Sequence, residues 1–264
     1  MYAPTDMRIL FIIFTFLLST SASADVVTIK ASDGTRLKAD WFPPKDKKQP
    51  VILTFHMKGS DRTAWAPLQN AAIKEGVGLL NIDMRGQKKP TKPAENKVKK
   101  SAPQWNMDVA AAHKFVRKKG IKPQKIILIG AEIGCSAIIQ WASTNHAFAA
   151  AVLLSPGTQY SDIPSLQHIK KWSDRPLLMV AAADEVETGA NKLYKAMGNH
   201  RQGIVLALPQ KTLRGTHMLG KVKRLSERLI EWSKLRVGAI KPAKKKTKPT
   251  LRSKQPRVRK HPGR

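Results

Sequence analysis

Gln124-Lys-Ile-Ile-Leu-Ile-Gly-Ala-Glu-Ile-Gly-Cys-Ser136 is the stretch on which the fold turns. Ile126 through Ile129 form a run of β-branched and leucine side chains, the composition of a strand buried on both faces. The run ends on Gly130, and Gly134 follows shortly after. Beyond them Ile138, Ile139 and Trp141 mark an apolar helix. Small flanking residues let the strand and helix backbones approach closely and push the side chain between them, Glu132, out of the turn.

The same alternation extends outward. Residues 26–30 and 37–42, joined through Ser32-Asp33-Gly34, read as an opening hairpin. Residues 51–55 are a continuous apolar run that belongs inside a sheet. Asp61 or Thr63 can cap a helix through Trp65 and Leu68 to Gly76. Residues 78–82 give a strand closing on Asp83-Met84-Arg85-Gly86, and a helix over about 104–119 stops at Gly120. Downstream, strands are expected at 148–154, 177–182 and 204–208, with helices near 190–197 and 221–235. The segment holding Tyr160, Asp162 and Trp172 is too short for a large lid. Strands alternating with helices at this spacing predict an α/β fold, a mostly parallel sheet covered on both faces, as one domain over residues 25–236.

The ends of the chain differ in character. Arg8 precedes an apolar run over 9–18, and Ala22-Ser23-Ala24 supplies small residues before Asp25, the pattern of a secretory signal peptide cut after Ala24. An uncleaved anchor is the alternative, and a start at Met7 would remove Asp6 from the leader. The protein is therefore expected to be secreted or periplasmic. Export permits disulfides, yet Cys135 is the one cysteine, so no intramolecular bridge forms and stability must come from the core. A small buried thiol packed behind the turn is its expected role.

The formal charge is +30. The tail that opens at Lys241 and runs to Arg264 supplies eleven of those charges with no acid, and its four prolines and few apolar residues predict disorder over 237–264. A second basic run, residues 88–100, reads as an exposed loop. For an exported protein such charge suits lipid phosphates or anionic polymers of the cell envelope, bound through the tail. No nucleic-acid motif is present, and the oligomeric state is not legible.

Five markers in chain order resemble the α/β-hydrolase superfamily, in particular its small lidless esterase and dienelactone-hydrolase-like branches. They are His56-Met57-x-Gly59-Ser60 after the third strand, Asp83-x-Arg85-Gly86 after the fourth, Gly130-x-Glu132-x-Gly134 after the fifth, Asp184 after a late strand and His217 before the last helix. The resemblance spans nearly all of residues 25–236. Two departures stand out: Gln87 replaces a histidine common in relatives, and Glu132 replaces the nucleophilic serine.

By position, the resemblance makes His217 the base and Asp184 its orienting acid, with Asp162 a weaker candidate. It makes the backbone N–H of Ile133 one oxyanion donor and that of Met57 or Lys58 the second. A carboxylate at 132 has no proton to give His217, and its attack on an ester would form an anhydride, so ordinary esterase chemistry is disfavoured. Glu132 beside His217 is expected to form a charge-assisted pair, with Asp184 on the far side. Three readings follow: a binding protein that has lost acyl transfer and takes a small acyl-type ligand at the elbow; an active enzyme using Glu132 as nucleophile or base; and a hydrolase whose nucleophile is Ser136 or Ser60. No cofactor is implied, and no spacing such as His-x-x-x-His supports a metal held by Glu132, Asp184 and His217. His56 is expected to be structural, Asp83 and Arg85 to tie loops together, and Trp65, Trp105 and Trp141 to lie in the core.

Overall fold

The computed structural model describes residues 24–86, 104–198 and 202–237. The expected leader, Gln87 with the basic run at 88–100, and the tail beyond Val237 lie outside them.

Eight strands form one sheet in the order β1-β2-β4-β3-β5-β6-β7-β8. They are β1 (Asp25–Lys30), β2 (Arg36–Phe42), β3 (Val51–Phe55), β4 (Gly78–Ile82), β5 (Ile126–Ala131), β6 (Ala150–Leu154), β7 (Leu177–Ala182) and β8 (Gly203–Leu208). β1 and β2 pair antiparallel, β2 joins β4 antiparallel, and every later pairing is parallel. The central strands β3 to β7 are buried along their whole length, which is why they read as unbroken apolar runs.

Helices cover both faces, as the alternation predicts. α2 (Trp105–Lys118), α3 (Ile133–Ala142), α4 (Ser165–Ile169) and α5 (Ala190–Ala196) contribute Val109, Ile138, Ile169 and Leu193 to one core, which also holds Leu53 and Leu128 of the sheet. α1 (Ala66–Lys74), α6 (His217–Lys221) and α7 (Leu225–Arg236) pack Leu68, Leu219 and Leu229 against Ile52 and Ile129. Neighbouring strand residues thus serve opposite cores, the period-2 rule of a strand. Trp65, Trp105 and Trp141 all lie in these cores. No large cap is present among the described residues.

Several boundaries differ from the expectation. The sixth strand begins at Ala150 rather than 148, because Phe148 and Ala149 complete the turn and Ala149 N–H reaches Ile126 O at 2.7 Å. The last helix starts at Leu225 rather than 221, since Arg224 takes a left-handed conformation (φ 59°) that splits off the short α6. Asp61 is the cap that forms: its carboxylate accepts from Thr63 N–H at 2.8 Å and opens a 3-10 turn, Arg62–Trp65, ahead of α1.

Two ionic ties fix the loops around the C-terminal ends of the strands. Arg62 bridges Asp40 at 2.9 Å and Asp83 at 2.6 Å. Arg85 donates from Nε to the buried Asp108 at 2.6 Å and also pairs Asp33. Burial pushes the Asp108 carboxyl up to about 6 against the pull of Arg85. His56, fully buried, joins β3 to the loop after β4: its Nε2 accepts from Met84 N–H at 2.9 Å, which leaves Nδ1 to donate to Met57 O at 2.9 Å.

Candidate active site

The chain passes from β5 into α3 through one residue, Glu132, with φ 49° and ψ −108°. An L residue held there stores strain on the order of 1–3 kcal/mol. Backbone contact demands the geometry. A Cβ on Gly130 would stand 2.6 Å from the Gly134 carbonyl carbon, and one on Gly134 would stand 2.0 Å from Phe55 O. Glu132 N–H donates to Leu154 O at 3.0 Å, and Glu132 O accepts from Cys135 N–H at 2.9 Å. The half-buried side chain is thereby thrust out at the C-terminal end of the sheet.

Of the two residues expected to supply oxyanion donors, Ile133 opens α3 and Met57 follows β3. Among the described residues neither N–H has a protein acceptor. Met57 O is held from two sides, by His56 Nδ1 and by Ser60 N–H at 3.3 Å, which sets the orientation of the loop.

A segment after β8 forms the facing wall. Gly215 N–H donates to Ser155 Oγ at 2.8 Å, and Ser155 is itself buried at φ 52°. A Cβ on Gly215 would lie 3.0 Å from Met57 Sδ and 3.6 Å from Glu132 Cγ. Thr216 Oγ1 donates to Met57 Sδ at 3.3 Å. Ser155 thus clamps this wall against the elbow, and a side chain at 215 would have to displace Met57 Sδ and adopt φ 50°.

Arg214, next in the wall, takes both acids at the end of β7. Its Nη2 and Nη1 meet Asp184 Oδ2 and Oδ1 at 2.9 and 3.1 Å, and its Nε meets Glu185 Oε2 at 2.9 Å. Asp184 also accepts Thr212 N–H at 3.1 Å. The Arg214 hydrogen bonds hold the Asp184 carboxyl down at about 2. Glu132 shifts the other way. Burial and the Glu185 charge raise its pKa, against His217 and Arg214, which lower it. Burial and the Glu132 charge likewise raise the Tyr160 phenol.

The sequence-predicted residues are therefore only partly brought together. Glu132, Ile133 and Met57 share the elbow. His217 stands exposed at the start of α6, within electrostatic reach of Glu132, but no hydrogen bond or ion pair joins it to Glu132 or Asp184 among the described residues. The expected hydrogen-bonded pair of Glu132 with His217, backed by Asp184, is thus not present among the described residues, and Asp184 is held instead by the two-pronged fit of Arg214. Asp162 is exposed in the β6–α4 connection. Ser136 is buried and hydrogen-bonded to Ser165 at 2.8 Å, facing away from the elbow, and Ser60 lies in the β3–α1 loop. Arg214 and Ser155 were not anticipated. The sequence signals for them are faint: an arginine three residues before His217, and a serine opening a Ser-Pro-Gly turn. Among the described residues no group of three His, Cys, Asp or Glu side chains is placed to hold a metal ion.

A mostly parallel eight-stranded sheet, whose fifth strand ends in a strained one-residue elbow, is the α/β-hydrolase fold, here with a carboxylate at the elbow. No protein-family model and no curated protein matches the sequence. Solved structures do. An esterase from Pyrococcus furiosus superposes with a TM-score of 0.68 at 17% identity, covering 83% of this chain and 94% of that one. A dienelactone hydrolase from Anabaena variabilis gives 0.61 at 12% identity, over 81% and 96%. The esterase domain of a Rhodothermus marinus protein gives 0.59 at 18%, over 82% and 100%. At these identities the likeness is one of fold.

Proposed function

We propose that this is an exported α/β-hydrolase-fold protein of esterase type that has lost acyl-ester hydrolysis, and that its elbow binds a small acyl- or carbonyl-bearing ligand at the cell envelope. The observation that carries this reading is the Arg214–Asp184 pair beside a carboxylate elbow. Ester hydrolysis on this fold needs a hydroxyl at the elbow, a histidine to take its proton and an acid to orient that histidine. Here Glu132 has no such proton, and Asp184 is engaged elsewhere. The backbone donors of Met57 and Ile133 need no particular side chain and remain suited to holding a carbonyl oxygen.

Hydrolysis of a panel of short acyl esters by the chain starting at Asp25, beside Glu132→Ser and Glu132→Ala, tests this. An inert wild type supports it. A wild type that turns over esters, with Glu132→Ala dead, sinks it and favours the second reading, in which Glu132 is nucleophile or base with His217 and Asp184. The raised pKa of Glu132 favours that second reading, since a partly desolvated carboxylate is the better proton acceptor.

A further inference from the structure

The parallel strands β3 to β8 all begin at the end of the sheet opposite the elbow, and that end is strongly basic. Its turns at 43–50, 74–77, 117–125 and 170–176 carry twelve Lys or Arg against three Asp or Glu. Lys45, Lys47 and Lys48 from the turn before β3 and Lys119 and Lys122 from the turn before β5 are exposed. The two turns touch, Lys125 Nζ donating to Lys47 O. Of the three acids, Glu75 is engaged by Lys234 at 2.7 Å.

That ion pair also places the last turn of α7 at this pole, with Leu235 73% exposed beside it. The chain continues from there toward the eleven cations of 241–264. Positive charge and an exposed leucine meet at one end of the sheet.

We infer that this pole docks on an anionic lipid bilayer, with the elbow turned away from the membrane. Like charges crowded on one face repel, and a sheet of lipid phosphates relieves that repulsion for every lysine at once. The exposed Leu235 favours a bilayer over a soluble polyanion, which offers no hydrocarbon layer. The inference is independent of whether the elbow hydrolyses anything.

Co-sedimentation of the full chain with vesicles of phosphatidylglycerol in phosphatidylcholine tests it. Lys48→Glu/Lys119→Glu/Lys122→Glu is compared with a control of equal charge at the elbow end, Arg36→Glu/Lys38→Glu/Lys211→Glu, with thermal unfolding to verify that both fold. The expected result is binding that rises with the anionic fraction, weakened at least about tenfold by the pole variant and less than about threefold by the control. Equal weakening by the two variants overturns the docking face, since total charge or the basic run at 88–100 would then suffice. Binding to double-stranded DNA with the same pole dependence, and none to vesicles, overturns the lipid partner.

Discussion

Arg214 grips Asp184 with both terminal nitrogens, at 2.9 and 3.1 Å, while His217, three residues further along the same segment, stands exposed without a bond to either acid. The partner of the carboxylate at the expected relay-acid position is a guanidinium, not an imidazole. The carboxylate at the position expected of a relay acid serves here as one leg of a loop anchor.

Restoring the elbow serine alone should therefore recover little. Glu132→Ser leaves His217 unoriented, whereas Glu132→Ser/Arg214→Ala frees Asp184 to turn toward it. We expect the double variant to exceed the single in kcat/KM on a short p-nitrophenyl ester by at least about tenfold, the scale on which an orienting acid matters. Equal rates would mean that Asp184 cannot reach the histidine even when released.

Asp184 should titrate at about 2 by carboxyl NMR and return toward the ordinary aspartate range in Arg214→Ala. Its folded pKa is depressed, so its contribution to stability is present above the unfolded value and is lost as pH falls through about 2. The Arg214 anchor consequently persists in mild acid.

Glu132 has the opposite sign. Its folded pKa is raised, so whatever stability the group lends is present below the ordinary glutamate value and disappears as pH rises through the folded one. Thermal unfolding of Glu132→Gln against wild type should show the variant gaining relative stability between acid and neutral pH. Glu132→Gly, which also relaxes φ 49°, should gain on the order of 1 kcal/mol. A flat difference across pH would show that the carboxylate is solvated as in the unfolded chain.

Glycine is needed at 134 for contact and at 120 for conformation, and the two substitutions should separate cleanly. Gly134→Ala drives a methyl onto Phe55 O and should cost more than about 4 kcal/mol or abolish folding. Gly120→Ala meets nothing within 4 Å at φ 84° and should cost about 1–2 kcal/mol. Denaturant melts distinguish these, and similar losses would remove the backbone-contact account of the elbow.

The parts of this molecule legible beforehand were those written in local chemistry. Apolar runs such as 51–55 and 177–182 matched β3 and β7, because runs this short, β-branched or leucine-rich and bounded by turn residues, suit a strand buried on both faces better than a helix. The elbow was legible from glycine spacing, since close approach has few solutions. His56, Asp83 and Arg85 tie loops as their positions suggested. The partner of Asp184 was not legible. Arg214 and His217 share one segment, but which of them meets the acid depends on side-chain direction toward a residue 30 positions earlier in the chain. Ser155 was hidden for a similar reason: its role rests on a left-handed backbone that any serine could decline.

Cys135 sits fully buried one turn past the elbow, its Sγ donating to the same Leu154 carbonyl that takes the Glu132 N–H. Burial also raises its pKa well above that of a free thiol, so the folded state offers almost no thiolate. Being the sole thiol, it gives the protein a built-in clock. The rate at which a thiol-specific alkylating reagent consumes it under native conditions counts how often the elbow comes apart, without introduced probes or competing thiols.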